Sequence, residues 1–370
     1  MKILVINLMH LGDLMLVTPV LTTLRKNFPE AHLALLADKK LADLVQYNKN
    51  LDECILIDKK GVDNHLPSFL RFIGKIRAKK FDLVINLHRN ERASALAAFS
   101  GAKKIVGYSK PGFALMFTKV LPNLKAVKHQ IHSHFDVLQQ ACGVEKIYDN
   151  GLEMWIPEDT EREAEKIFRE NYGEGVKVVA FNIGASWLTK RWLDSYFAEC
   201  ADILIERGYG IAFLGGTMDL EIVDGCIAKM KHKDSERLKI FTGKFSLALL
   251  AGFLDNCVLF LTTDSGPMHI GVARNIPIVT MFGSSPVPGF YPYDAKDILI
   301  KTPEPCHPCG VHVCPKKGDD NLACMKKIPV SVVMKYVDEL LKNYGQPAKE
   351  IPRVPNAYEC RVIDLAKVPE

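Results

Sequence analysis

Short, nearly unbroken apolar runs alternate with amphipathic stretches along most of this chain. In the first half the runs at 3–7, 33–37, 54–57, 83–87 and 105–107 predict strands. Helical periodicity fills the gaps at 15–27, 42–47, 68–79, 92–100 and 132–142, the last stopped by Gly143. A bounded helix follows, from Pro157 with Glu158 and Asp159 in its first turn to Gly173 at its end. The alternation then restarts. Strands are predicted at 178–182, 211–214, 238–241, 258–262 and 278–282, with helices at 194–207, 219–231, 246–253 and 268–274. A final helix at 330–344 is expected to pack back across the junction, and 346–370 reads as a mostly irregular tail. Such alternation means parallel strands joined by crossover helices, so the expected fold class is α/β: two Rossmann-like halves joined near 157–175.

The chain has 370 residues, too many for one ordinary core. Its 48% hydrophobic and 25% charged content suits a soluble globular protein, and no apolar run is long enough to cross a bilayer. With no signal-type apolar segment behind a basic start, the expected location is the cytoplasm. A net charge of +5 does not by itself indicate nucleic acid. The cations are uneven, however. Lys79, Lys80, Arg89, Arg92, Lys103, Lys104, Lys110, Lys119, Lys125 and Lys128 face only Asp82 and Glu91 between Lys79 and His134, which suggests a surface that meets polyanions or is simply solvated.

The richest segment is Thr263-Asp264-Ser265-Gly266-Pro267-Met268-His269, where a strand turns into a helix. That geometry aims unpaired N–H groups and the positive end of the helix dipole at one spot, which suits a phosphate. Asp264 is expected to cap this helix, Gly266 to allow close approach, and Pro267 to fit the first turn. Gly12-Asp13 occupies the corresponding turn after the first strand, where the aspartate is either a helix cap or a base facing a cleft between the halves. A single glycine there excludes the dinucleotide fingerprint, which disfavours hydride transfer. After the first strand of the second half, Ser186, Thr189, Lys190 and Arg191 suit a diphosphate, whereas Trp192 reads as packing. Gly215-Gly216-Thr217-Met218-Asp219-Leu220-Glu221 places acids beside another turn, as dipole partners or ribose acceptors.

Gly12-Asp13 with Thr18-Pro19, Gly184-Ala185-Ser186 with Lys190-Arg191-Trp192, the Thr263–His269 segment and the Phe282-Gly283 turn occur in this order in glycosyltransferase family 9. Over residues 1–345 the chain resembles that family, whose best-known members are the ADP-heptose:lipopolysaccharide heptosyltransferases. The resemblance implies a GT-B fold. It divides the chain into an acceptor-binding domain at 1–157, a nucleotide-sugar domain at 175–329, and a C-terminal helix and tail at 330–370 that return toward the first domain. It implies Asp13 as general base and Lys190 on the diphosphate. Glu221 falls near the nucleoside, and Asp264, Ser265, Gly266, Met268 and His269 form the donor loop beside Ser186, Thr189 and Arg191. Gly12, Thr18, Arg89, Arg92 and Lys110 are then expected on the acceptor side.

The implied reaction is an inverting displacement from ADP-heptose onto a hydroxyl of the lipopolysaccharide core or lipid A acceptor. No cofactor is expected for catalysis, because Lys190 and fixed dipoles neutralise the leaving diphosphate. Peripheral contact with the inner membrane is expected, and nucleic acid is not. Cys306, Cys309, Cys314 and Cys324 in a Pro- and Lys-rich loop are either a structural zinc site or reduced thiols packing that loop. Two other readings stay open: a GT-B transferase or epimerase using another nucleotide sugar, and a non-catalytic protein binding nucleic acid or membrane.

Overall fold

The computed structural model describes residues 1–124 and 127–367, so Lys125 of the basic stretch lies outside the described residues. The chain divides into two compact units, Met1–Trp155 and Ile156–Glu370.

The first unit is built on six parallel strands: β1 Lys2–Ile6, β2 His32–Asp38, β3 Glu53–Ile57, β4 Leu83–Asn86, β5 Lys104–Gly107 and β6 Lys119–Val120. Their order is β3-β2-β1-β4-β5-β6. Helices cover the sheet, so Ile3, Leu4, Val5 and Ile6 of β1 are all fully buried, which is why its sequence is apolar rather than alternating. The helix expected at 15–27 is two helices, Leu11–Met15 and Thr18–Asn27. Pro19 has no N–H to continue the first helix and instead opens the second, while the Thr18 hydroxyl donates to Met15 O at 2.9 Å. The segment expected as a helix at 42–47 is 3-10 turns at Lys39–Leu44. The two-residue β6 is too short to carry a periodic signal.

The second unit carries β7 Val178–Asn182, β8 Gly210–Phe213, β9 Leu238–Ile240, β10 Leu259–Thr263, β11 Ile278–Met281, β12 Ile298–Lys301 and β13 Arg361–Asp364, in the order β13-β12-β11-β10-β7-β8-β9. The tail expected to be irregular supplies β13, a parallel edge strand against β12 fastened by a Lys301–Asp364 ion pair at 2.5 Å. Helix Val330–Tyr344, expected to return toward the first domain, buries Val333, Met334, Val337 and Leu340 in the core of the second unit, with Val179, Phe197 and Leu261. Helix Glu158–Tyr172 also belongs to this unit: Gly252 leaves room for Ala164, which a Cβ there would meet at 3.0 Å, and Phe168 packs on Phe253.

In each sheet the connections reverse direction at one place, between β1 and β4 in the first unit and between β7 and β10 in the second. At such a reversal the loops leaving adjacent strands diverge, and their carboxyl ends open a crevice suited to a ligand.

Candidate active site

In the second unit, the loops after β7 and β10 are tied together. Asn182, the last residue of β7, donates through Nδ2 to Ser265 Oγ at 2.9 Å, and Thr263 Oγ1 donates to Gly184 O at 2.9 Å. Gly184 is required here, because a Cβ would lie 1.9 Å from Asp219 Oδ1. The Asp219 carboxylate is buried, which pushes its pKa up, and the N–H of Gly216 and the charge of Arg191 pull it back.

Helix Gly266–Ala273 starts with Ser265 as N-cap and no side chain capping it, while the Ser265 hydroxyl accepts from Asn182. Asp264, expected as the cap, instead turns to Lys190, whose Nζ lies 3.0 Å from Asp264 Oδ2. Asp264 is buried and a lone carboxylate there would be costly, so a cation beside it is the better use of its charge. Lys190 Nζ also sits 4.8 Å from the centre of the Trp187 ring. The result is an ammonium beside a helix N-terminus whose first amides no side chain caps, a combination suited to an anion.

His269 is buried on this helix. Burial lowers its pKa to about 4, with Asp264 opposing and Lys190 reinforcing the shift, so the ring is neutral at physiological pH. The Met268 side chain is fully buried. Ser186 is exposed, Arg191 is half-buried with Nε donating to Ala185 O at 2.8 Å, and Glu221 is exposed in the first turn of helix Leu220–Ile227. Thr189, expected to donate to the diphosphate, is buried. Its Oγ1 is 2.5 Å from Val311 O and 2.9 Å from Ser284 Oγ. One hydroxyl proton serves one strong bond, so Thr189 donates to Val311 and accepts from Ser284. It holds the loop instead of facing a ligand.

The four loop cysteines are free thiols, with Cys306 and Cys309 exposed and Cys314 and Cys324 half-buried. Among the described residues, no three His, Cys, Asp or Glu side chains are gathered into a group that could hold a metal ion. Burial and then the like charges of the other three cysteines push the Cys324 thiol up to about 11.

In the first unit, Asp13 is half-buried on the five-residue helix that follows β1, with Gly12 beside it and exposed His10 at the N-cap. Thr18, expected to face an acceptor, is fully buried and accepts from Glu153 N at 3.1 Å, so it is structural. Arg92 is also engaged, donating to Lys59 O at 2.7 Å and Asn64 Oδ1 at 2.8 Å and covering Phe69. Lys110 lies 3.3 Å from Glu91, and Arg89 is exposed.

Two further residues at this end of the sheet escaped the sequence analysis. Lys59 Nζ donates to Leu8 O at 2.6 Å and pairs with Asp38 at 3.0 Å. Burial, followed by the charges of Lys59 and His10, lowers the pKa of His88 to about 4. Both follow strands the apolar pattern located, and that position was the available signal. The basic stretch is more neutral than its sequence suggests, because Lys79, Lys103 and Lys128 pair with Glu53, Asp82 and Asp136.

Residues 69–318 match the family model for glycosyltransferase family 9 (heptosyltransferase). Lipopolysaccharide heptosyltransferase 3 of Escherichia coli K12 is 28% identical over 285 residues, covering 74% of this chain and 80% of that one. The crystal structure of the family 9 glycosyltransferase from Veillonella parvula has a TM-score of 0.82 at 34% identity, covering 92% of this chain and 97% of that one. The E. coli ADP-heptose lps heptosyltransferase II structure shares the fold, with a TM-score of 0.76 at 19% identity over 93% of this chain and 99% of that one. Two parallel-sheet α/β domains of this kind are the GT-B fold, and the chain belongs to glycosyltransferase family 9 as a glycosyltransferase enzyme.

Proposed function

We propose that the protein moves a heptose from ADP-heptose to a sugar hydroxyl of the lipopolysaccharide inner core by a single inverting displacement. The observation that carries this reading is Lys190 held beside the uncapped N-terminus of helix Gly266–Ala273. The heptosyltransferase relatives supply the sugar and, through the E. coli ADP-heptose enzyme, the nucleotide.

Asp13 takes the proton of the acceptor hydroxyl, which attacks the anomeric carbon as ADP departs. Charge growing on the diphosphate is met by Lys190 and by the amides of Gly266 and Met268, with Pro267 contributing none. Met268 and His269 serve through their backbone, since their side chains are buried. Ser186 and Arg191 flank the diphosphate and Glu221 the nucleoside. In this mechanism the positive charge comes from the protein, so no catalytic metal is needed.

The domain roles follow, with acceptor binding at 1–157 and donor binding at 175–329. A cytoplasmic location with peripheral membrane contact belongs to this reading, and two exposed apolar side chains of the first unit, Leu115 and Met116, between Lys110 and Lys119 in the chain, support the membrane contact. Among the described residues no helix is long and apolar enough to cross a membrane. A structural zinc ion on Cys306, Cys309, Cys314 and Cys324 is supported by the donor set alone, and metal analysis of the purified protein tests it.

The test of the donor is thermal stability with ADP, UDP, GDP or CDP in excess. A nucleotide at ~100 times its dissociation constant adds about 2.7 kcal/mol. Stabilisation by ADP alone is expected. Stabilisation by UDP instead would move the protein to the alternative reading, a GT-B enzyme acting on another nucleotide sugar.

A further inference from the structure

The cysteine-bearing segment after β12 has no role in the reaction described above, yet it is fastened to the loop that carries Lys190. Thr189 is the fulcrum: its N–H reaches His312 O at 3.4 Å and its hydroxyl donates to Val311 O. On the neighbouring turn, Gly310 N donates to Ser284 O at 2.9 Å, and Ser284 N returns to Thr189 O at 3.4 Å. Gly283 permits this closeness, since a Cβ there would lie 2.4 Å from Thr189 O and 3.4 Å from Cys324 Sγ. The segment also braces itself. Leu322 N donates to Cys314 Sγ at 3.4 Å, Thr302 Oγ1 to Cys324 O at 3.0 Å, and Asn321 Nδ2 to Lys316 O at 2.9 Å.

An aromatic contact also joins the segment to the donor loop. The exposed His312 ring stacks on the Trp187 indole with centroids 4.0 Å apart and planes 26° from parallel. The same indole holds the Lys190 ammonium, 4.8 Å from its centre, while Asp264 holds it from the other partner position at 3.0 Å. Lys190 thus has two supports: a carboxylate fixed by the β10 turn, and an indole fixed by His312. A lysine side chain has four rotatable bonds, so its placement depends on such supports.

We propose that His312 is a positioning residue for the donor diphosphate: by fixing the Trp187 indole it fixes Lys190, making the cysteine-bearing segment a third wall of the donor site. This rests on the donor-site reading above. The ring stacks on the indole, so its removal acts on the donor through Lys190.

The experiment uses the full chain and compares His312→Ala, His312→Phe and Lys190→Ala. ADP binding is measured by calorimetry, and KM and kcat are measured with ADP-heptose varied. His312→Ala is expected to raise the ADP dissociation constant and the donor KM about fivefold, with kcat falling by less than that, in line with the strength of a cation over an indole. His312→Phe, which restores a flat ring without the imidazole nitrogens, should recover most of that loss. Unchanged ADP affinity in His312→Ala beside a weakened Lys190→Ala overturns the inference and leaves the donor site standing. A His312→Phe variant as weak as His312→Ala also overturns it. Lys190→Ala binding ADP as tightly as the parent sinks the donor-site reading, and the inference with it.

Discussion

The two sheet reversals carry the same device, a polar turn between a buried strand and a helix, but they surround it differently. At β7 and β10 buried and half-buried polar side chains are spent on one another or on nearby carbonyls: Asn182 on Ser265, Thr263 on Gly184 O, Thr189 on Ser284 and Val311 O, and Lys190 on Asp264. At β1 and β4 the corresponding groups are arranged differently. Asp13 rides a five-residue helix, Arg89 is exposed, and Lys59 and His88 come from loops. A rigid cradle suits a ligand whose charged part never varies, such as a diphosphate. Preorganised positive charge also costs no rearrangement when negative charge develops, which is where a transferase gains most.

The largest effect is expected at Asp13. Asp13→Asn should lower kcat by about a thousandfold, the range of a lost general base, while ADP affinity stays near that of the parent. Equal losses of ADP binding would mean the carboxylate belongs to the donor side. Lys190→Ala comes next, with kcat/KM down about a hundredfold, or ~2.7 kcal/mol, and ADP binding weakened alongside. Isothermal titration beside initial-rate kinetics separates the two variants.

The smallest effect concerns pH. His269 and His88 have pKa values near 4 when folded, against an ordinary value of 6.5. The unfolded chain therefore binds protons first as pH falls, and stability is lost from about pH 6.5 down to about 4, then levels off. Melting curves across that window should show His269→Gln and His88→Gln each flattening the loss, to a similar extent, because both folded values lie near 4. A slope unchanged from that of the parent in either variant would mean that this histidine is not held neutral by the fold.

Most of the strands were legible because a strand buried on both faces is an apolar run bounded by turn residues, and β7 matches its expected span residue for residue. The motif residues were legible as positions, since Asp13, Lys190 and Asp264 all follow such strands. Their partners were less so. Thr18 and Thr189 read as ligand-facing hydroxyls, yet each is consumed by a backbone group more than a hundred residues away, Glu153 in one case and Val311 in the other. Lys59 and His88 carried no motif at all. Strand β13 hid in a tail with little apolar character because it is a sheet edge with one neighbour, β12.

By itself the sequence determined the alternation of strands and helices, the two-sheet class and the turns that bear charge, because those depend on periodicities of two and 3.6 residues and on glycine and proline nearby in the chain. The tertiary structure alone decided which polar groups remain for a ligand and which are used up holding the loops, and that Asp264 grips a lysine instead of capping its helix. Those outcomes depend on hydrogen-bond and charge partners that meet only after folding, and nothing in the local pattern records a partner that far along the chain.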